Sequence, residues 1–227
     1  MRRALIILAS VLWVPGMLGV MGIQAANQLD TVATTEASQT LRLPCQVQDT
    51  QMTAQTLASY EGPFWEDGSD QEVAGIAALV VTNSGGTMIS QGAVILEWGE
   101  DRLVFELEAL PAGMTVLVLE KDQKTYAGQT LSRCYGWART EYPENKGEVT
   151  VQEYGSRNLL VTNRTDRKIP LTRIRFKGYD PGSGMFIGGV CHEALVEQLR
   201  PGESRLICPY YYACGYSKVV WVGVENE

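Results

Sequence analysis

Five cysteines and a single histidine carry most of the chemistry that these 227 residues could offer. Cys191 and His192 adjoin, with Cys208 and Cys214 downstream, so a thiol enzyme or redox protein using this region is one reading. Neighbouring residues on a strand point to opposite faces, whereas a nucleophilic thiol needs its base within hydrogen-bond reach. One histidine leaves no multi-histidine metal site, and any serine–histidine–acid triad would have to run through His192. Carboxylates are numerous but scattered over loops and solvated faces. Asp67-Gly68-Ser69-Asp70 is oxygen-rich enough to suit calcium, yet no full ligand pattern accompanies it. The expectation is a non-enzymatic chain with no catalytic residues, metal or cofactor.

Two other groups of side chains could bind rather than react. Tyr210, Tyr211, Tyr212 and Tyr216 fall in a turn-rich stretch ahead of Trp221. Such rings can be offered flat to a sugar or a protein, because tyrosine is amphipathic and loses little entropy on ordering. They can equally pack against the edge of the fold. Arg173, Arg175 and Lys177 share one face if their strand keeps a period of two. Between positions 45 and 124 there are thirteen acidic residues and three basic ones; between 157 and 205, nine basic and five acidic. The cationic face could meet an anionic polymer of the cell envelope or dock on the acidic half of the chain. It could also be solvated, its charge discouraging strand-edge aggregation. The chain is acidic overall, at −7, and carries no nucleic-acid-binding motif, so that partner class is set aside.

These residues sit on a duplicated framework. Leu79-Val80-Val81-Thr82-Asn83 reappears as Leu159-Leu160-Val161-Thr162-Asn163, and the same shift takes Gly75 to Gly155 and Ile89 to Ile169. Leu110-Pro111-Ala112-Gly113 is answered by Leu199-Arg200-Pro201-Gly202, so the second copy has the longer middle. Each copy alternates as β-strands do: Val94, Leu96 and Trp98 on one face, Leu103, Phe105 and Leu107 on another, and Ile174 with Phe176 opposite Arg173 and Arg175. Asn83-Ser84-Gly85-Gly86 and Asp180-Pro181-Gly182-Ser183-Gly184 supply the turns. The expected fold is all-β, with two tandem immunoglobulin-like β-sandwich modules after an N-terminal signal peptide. Expected boundaries are 1–26 for the signal peptide or anchor, 27–44 for a flexible spacer, 45–135 for the first module, 136–149 for a linker and 150–227 for the second module. Positions 48–71 read as a long loop or a short irregular helix.

Phe176-Lys177-Gly178-Tyr179-Asp180 resembles the F-x-L-Y-D motif of FxLYD-type domains, with Gly178 in the place of leucine. Leu199-Arg200-Pro201-Gly202-Glu203-Ser204 is similar to the segment that precedes the closing strands of that family. The resemblance covers about 158–224 and reaches the first copy only through the repeat. It implies an immunoglobulin-like sandwich of bacterial secreted and surface proteins, and it implies no catalytic residues.

The ends agree with export. Arg2-Arg3 precede an apolar stretch from Ala4 to Ile23, with Ala25-Ala26 after it, which is the pattern of a secretory signal peptide. Left uncleaved, about twenty apolar residues would anchor the chain with its bulk outside. Cys45, Cys134, Cys191, Cys208 and Cys214 are then disulfide candidates. Cys45 and Cys134 flank the first copy and would tie its ends. One pair and one free thiol would remain in the second, unless all five stay reduced. The functional expectation is a secreted or cell-surface protein whose modules bind or space an extracellular protein or glycan.

Overall fold

The chain divides into two units, Met1–Gln39 and Thr40–Glu227. The computed structural model describes residues 40–67, 71–140 and 147–225. The expected signal peptide and residues 27–39 of the spacer lie outside the described residues. Leu41 and Leu43, at the spacer's end, already pack on the core.

All regular structure among the described residues is β. The first half holds β1 (Cys45–Gln46), β2 (Met52–Pro63), β3 (Glu72–Asn83), β4 (Ile89–Trp98), β5 (Asp101–Leu110), β6 (Thr115–Leu119) and β7 (Arg133–Arg139). The second holds β8 (Val149–Tyr154), β9 (Asn158–Asn163), β10 (Ile169–Asp180), β11 (Met185–Leu199), β12 (Ser204–Ile207) and β13 (Ser217–Glu225). They form three sheets: a long one in the order β1-β2-β3-β6-β11-β10-β13, and two short ones, β5-β4-β7 and β12-β9-β8. The short sheets lie against the two ends of the long one, as in a β-sandwich.

Each end has its own apolar filling. Leu79, Val81, Leu96, Leu103, Phe105 and Val116 belong to one buried cluster; Leu159, Val161, Ile174, Phe176, Val196 and Tyr212 belong to another. Alternation along the strands sends these side chains inward, and full burial of each stabilises by roughly 1.5–3 kcal/mol. β3 is apolar on both faces because Tyr60, Phe64, Ile76, Ala78 and Leu119 form a third cluster with it.

The strand order is the same in both halves. β2-β3-β6 corresponds to β8-β9-β12, and β5-β4-β7 to β11-β10-β13, so the repeated Val-Thr-Asn stretches end equivalent strands, β3 and β9. Backbone detail repeats too. Gly75 and Gly155 have positive φ, as do Gly113 and Gly202, and so do two non-glycine residues at matching places, Ala109 and Gln198. Thr82 Oγ1 meets Thr115 Oγ1 at 3.0 Å where Thr162 Oγ1 meets Ser204 Oγ at 2.8 Å.

Two expectations need correction. The stretch 48–71 contains β2, a twelve-residue strand, rather than a loop or irregular helix. The stretch is mostly polar because β2 buries only Met52, Ala54 and Tyr60, and the strand is held by an extended ladder to β3 with Leu57 opposite Leu79. β7 runs through Arg139, so the residues expected to begin a linker at 136 pair with β4 instead, Gly136 opposite Val94 and Trp137 opposite Ala93.

Candidate functional site

The loop between β12 and β13 is fastened by Tyr212. Its ring is fully buried, edge-on to Phe176 at 5.4 Å between centroids, and its hydroxyl donates to Glu153 Oε1 at 2.7 Å. Cys214 Sγ donates to the other oxygen of that carboxylate at 2.9 Å. The Cys214 and Tyr212 bonds hold the Glu153 carboxyl below its ordinary range. Burial first, and then the carboxylate, push the Tyr212 hydroxyl well above its own. Tyr212 is therefore a core residue, which corrects its place among the expected ligand-binding rings.

The other three tyrosines face water: Tyr210, Tyr211 and Tyr216 are 82%, 49% and 60% exposed. Tyr211 lies nearly flat on His192, with centroids 4.5 Å apart and planes 21° from parallel, and Tyr210 meets Tyr211 edge-on at 4.8 Å. His192 in turn contacts Phe176 at 5.5 Å. A chain of ring contacts thus runs from the core to the surface. It ends in a shelf whose rings are held in place before any ligand arrives, a geometry that lowers the ordering cost of binding.

Neither Cys191 nor Cys214 is an activated nucleophile. All five cysteines are free. Cys191 Sγ lies against the carbonyl oxygens of Phe176 at 3.6 Å and of His192 at 3.7 Å, and burial pushes its thiol up to about 11. The Glu153 carboxylate raises Cys214. Cys208 is exposed. Reactive cysteines have lowered pKa values, so neither Cys191 nor Cys214 is tuned for catalysis. Cys45 and Cys134 are different: the two thiols are hydrogen-bond partners, and burial raises both.

The expected cationic face divides. Arg173 bonds Glu193 and Glu225, and Arg175 pairs with Glu193 at 3.3 Å and lies over the Trp221 ring. Lys177 is not on that face at all; it is fully buried. A register shift between Phe176 and Gly178 against β11, and another between Arg175 and Phe176 against β13, break the alternation and turn Lys177 inward.

Lys177 instead helps to join the halves. Its Nζ donates to the carbonyls of Glu108 on β5 and of Gly189 and Val190 on β11, at 2.8–2.9 Å. Burial lowers its pKa to about 8. Glu66, just beyond β2, accepts from the N–H groups of Gly189 at 2.7 Å, Leu119 at 2.9 Å and Val190 at 3.3 Å. Burial raises its carboxyl above the ordinary value, against the pull of those donors and of Lys177. The same two residues of β11 are gripped by a carboxylate on their N–H groups and an ammonium on their carbonyls. Beside this junction lies a cleft of about 360 Å³ lined by Glu66, Glu106, Glu108, Trp137 and Gly189 among others. Glu106 is paired there with Lys121.

Sequence reasoning did not find Glu66 or the buried role of Lys177. The available signal was Gly188-Gly189 inside an apolar run, since glycine within a strand marks a close backbone approach. A Cβ on Gly189 would overlap the Glu106 carbonyl oxygen, and Gly188 has a φ of +78°. The calcium-like loop falls partly at 68–70, outside the described residues. Among those described, no group of three or more histidine, cysteine or carboxylate side chains could hold a metal ion. No protein-family model, curated protein or solved structure matches this chain.

Proposed function

We propose that the chain is a non-catalytic binding protein of the cell exterior, made of two immunoglobulin-like modules in tandem. In this reading it offers Tyr210, Tyr211 and Tyr216 to an extracellular glycan or protein. The observation that carries the reading is the shelf itself. Three tyrosine rings are left in water, and Tyr211 stacks on His192 and carries Tyr210 edge-on, so two of them join a run of ring contacts to the core. The basic start and apolar stretch of the sequence support export, and the repeated strand order supports a duplicated module. The raised Cys191 and Cys214 thiols count against the thiol-enzyme alternative. The resemblance of 158–224 to FxLYD-type domains agrees with a non-enzymatic surface role.

The test is a glycan array together with cross-linking to extracellular proteins, run on the intact chain and on a Tyr210→Ala/Tyr211→Ala variant. Both rings are exposed enough for the variant to keep its fold, which circular dichroism would confirm. Loss of a saturable interaction is expected. An interaction that persists at full strength removes the shelf from the account.

A further inference from the structure

The junction between the halves is a strand docked in the open side of a sandwich, and the second half has the same open side without a strand in it. In the first half that side lies between the outer edges of β6 and β5. β11 enters there, pairing in parallel with β6 at Phe186 opposite Val116 and Ile187 opposite Leu117. It then passes β5 at Gly189, and Lys177 caps the Glu108 carbonyl.

The corresponding edges of the second half are β12 and the end of β11. By the repeat that takes Leu110 to Leu199 and Gly113 to Gly202, Leu117 corresponds to Leu206 and Glu108 to Glu197. Glu203 C=O accepts from Asn163 N at the end of β9, so by strand alternation Arg205 and Ile207 face β9 and the N–H and C=O of Leu206 face outward. There they meet no hydrogen-bond partner among the described residues. The Leu206 side chain is 50% exposed, and Leu195 on the neighbouring edge is 52% exposed. A cation already caps one carbonyl on this side, its other donors going to Glu203 and Gln198 O. Arg205 donates to Glu197 O at 2.6 Å, the carbonyl equivalent to the one Lys177 caps in the first half.

We propose that this side of the second half is a docking groove for an extended polypeptide strand of a partner. The strand adds in parallel to β12 through Leu206, and its chemistry is that of Phe186-Ile187-Gly188-Gly189: large apolar residues, then glycines that pass close to the Leu195 carbonyl. Strand addition of this kind draws affinity from main-chain hydrogen bonds and specificity from the side-chain positions. The outer edge of β5 is closed to the same use. Val104 N and O are taken by Glu120 and Lys121, and Arg102 O by Lys124. In a second copy that edge is closed, and its own Phe186–Val190 segment is committed to β6, Glu66 and Lys177, so the occupant assigned here is a different polypeptide.

The probe is a fluorescent peptide with the sequence of residues 183–190, titrated into the intact protein. Leu206→Pro removes only an outward N–H and leaves the ladder to β9 complete, a placement that edge strands tolerate. Expected are saturable binding, at least tenfold weaker binding by Leu206→Pro at an unchanged unfolding midpoint, and loss of binding when the peptide carries Gly189→Val. Amide exchange on the unaltered protein, which holds the test even if Leu206→Pro does not fold, should show at least tenfold slowing at Leu206. No saturable binding, equal binding by Leu206→Pro, indifference to Gly189→Val, or protection at Leu117 in place of Leu206 would each overturn the proposal.

Discussion

Asn83 and Asn163 show why a short phrase of sequence was kept twice. Both side chains are fully buried. Asn83 Nδ2 donates to Thr87 O at 2.8 Å and Leu110 O at 3.0 Å, and its Oδ1 accepts from Gly85 N. Asn163 Nδ2 donates to Arg167 O at 2.8 Å and also faces Leu199 O and Arg200 O, while its Oδ1 accepts from Thr165 N. Each amide ties its own turn to the end of the strand two places later. Asn163-Arg164-Thr165 has the form of a glycosylation acceptor, but the nitrogen that would carry the sugar is spent on carbonyls inside the fold. Asn163→Ala should destabilise by about 3 kcal/mol, since buried carbonyls lose their donor. Asn163→Asp should be at least as damaging, because it sets an acceptor against acceptors; urea titration measures both. The repeat made these asparagines legible as turn residues. Lys177 was not legible, because nothing in an Arg-x-Arg-x-Lys alternation announces a bulge. Its lowered pKa has a measurable sign. Between about pH 8 and the ordinary 10.5 the unfolded lysine holds a proton that the folded one has released, so this residue's contribution to stability rises with pH over that window, by about 3 kcal/mol. Burial-raised Cys134, Cys191 and Tyr212 act in the opposite direction at alkaline pH. The quantity to measure is therefore the difference in unfolding free energy between the wild type and Lys177→Met. A difference that stays flat from pH 8 to 10.5 would contradict the assignment.

Among the elements, β1 and β7 belong to different sheets, yet Cys45 and Cys134 bring them together at the end of the first core. A bond between those sulfurs would staple sheet to sheet and close a long loop, worth about 4–5 kcal/mol in the chain-entropy description. On mild oxidation the expected first product is the Cys45–Cys134 disulfide, with Cys191, Cys208 and Cys214 still alkylatable in peptide mass analysis; a first bond that includes Cys208 would be the wrong outcome. The spacing of these cysteines around the first copy pointed to the pairing, and the thiol contact gives it a physical basis. β2 was hidden for the opposite reason. A strand that buries few side chains carries little periodic signal, and its place is set by backbone pairing with β3, which leaves no mark on composition. Gly188-Gly189 lies between these cases: visible as a break in an apolar run, but silent about which backbone comes close.

At the scale of the whole molecule, the repeat foretold the strands of each half but not that one sheet would run through both. That fusion rests on a two-residue parallel ladder and on the buried Glu66 and Lys177 around Gly189 and Val190. Those two side chains bond backbone groups of β5, β6 and β11 at once, so loss of either half strips the other of buried hydrogen-bond partners. The described unit should therefore unfold in one transition, with calorimetric and van't Hoff enthalpies in agreement. Gly189→Val attacks the junction alone, since its side chain would strike the Glu106 carbonyl and displace β11 from β5. The cores around Phe105 and Phe176 would be left whole. The variant should lose stability and show two separable transitions in differential scanning calorimetry, one for each core. If it melted in a single two-state step at a lower temperature, the coupling would have to lie elsewhere along the shared sheet, and the grip of Glu66 and Lys177 on Gly189 and Val190 would be local packing with no part in holding the halves together.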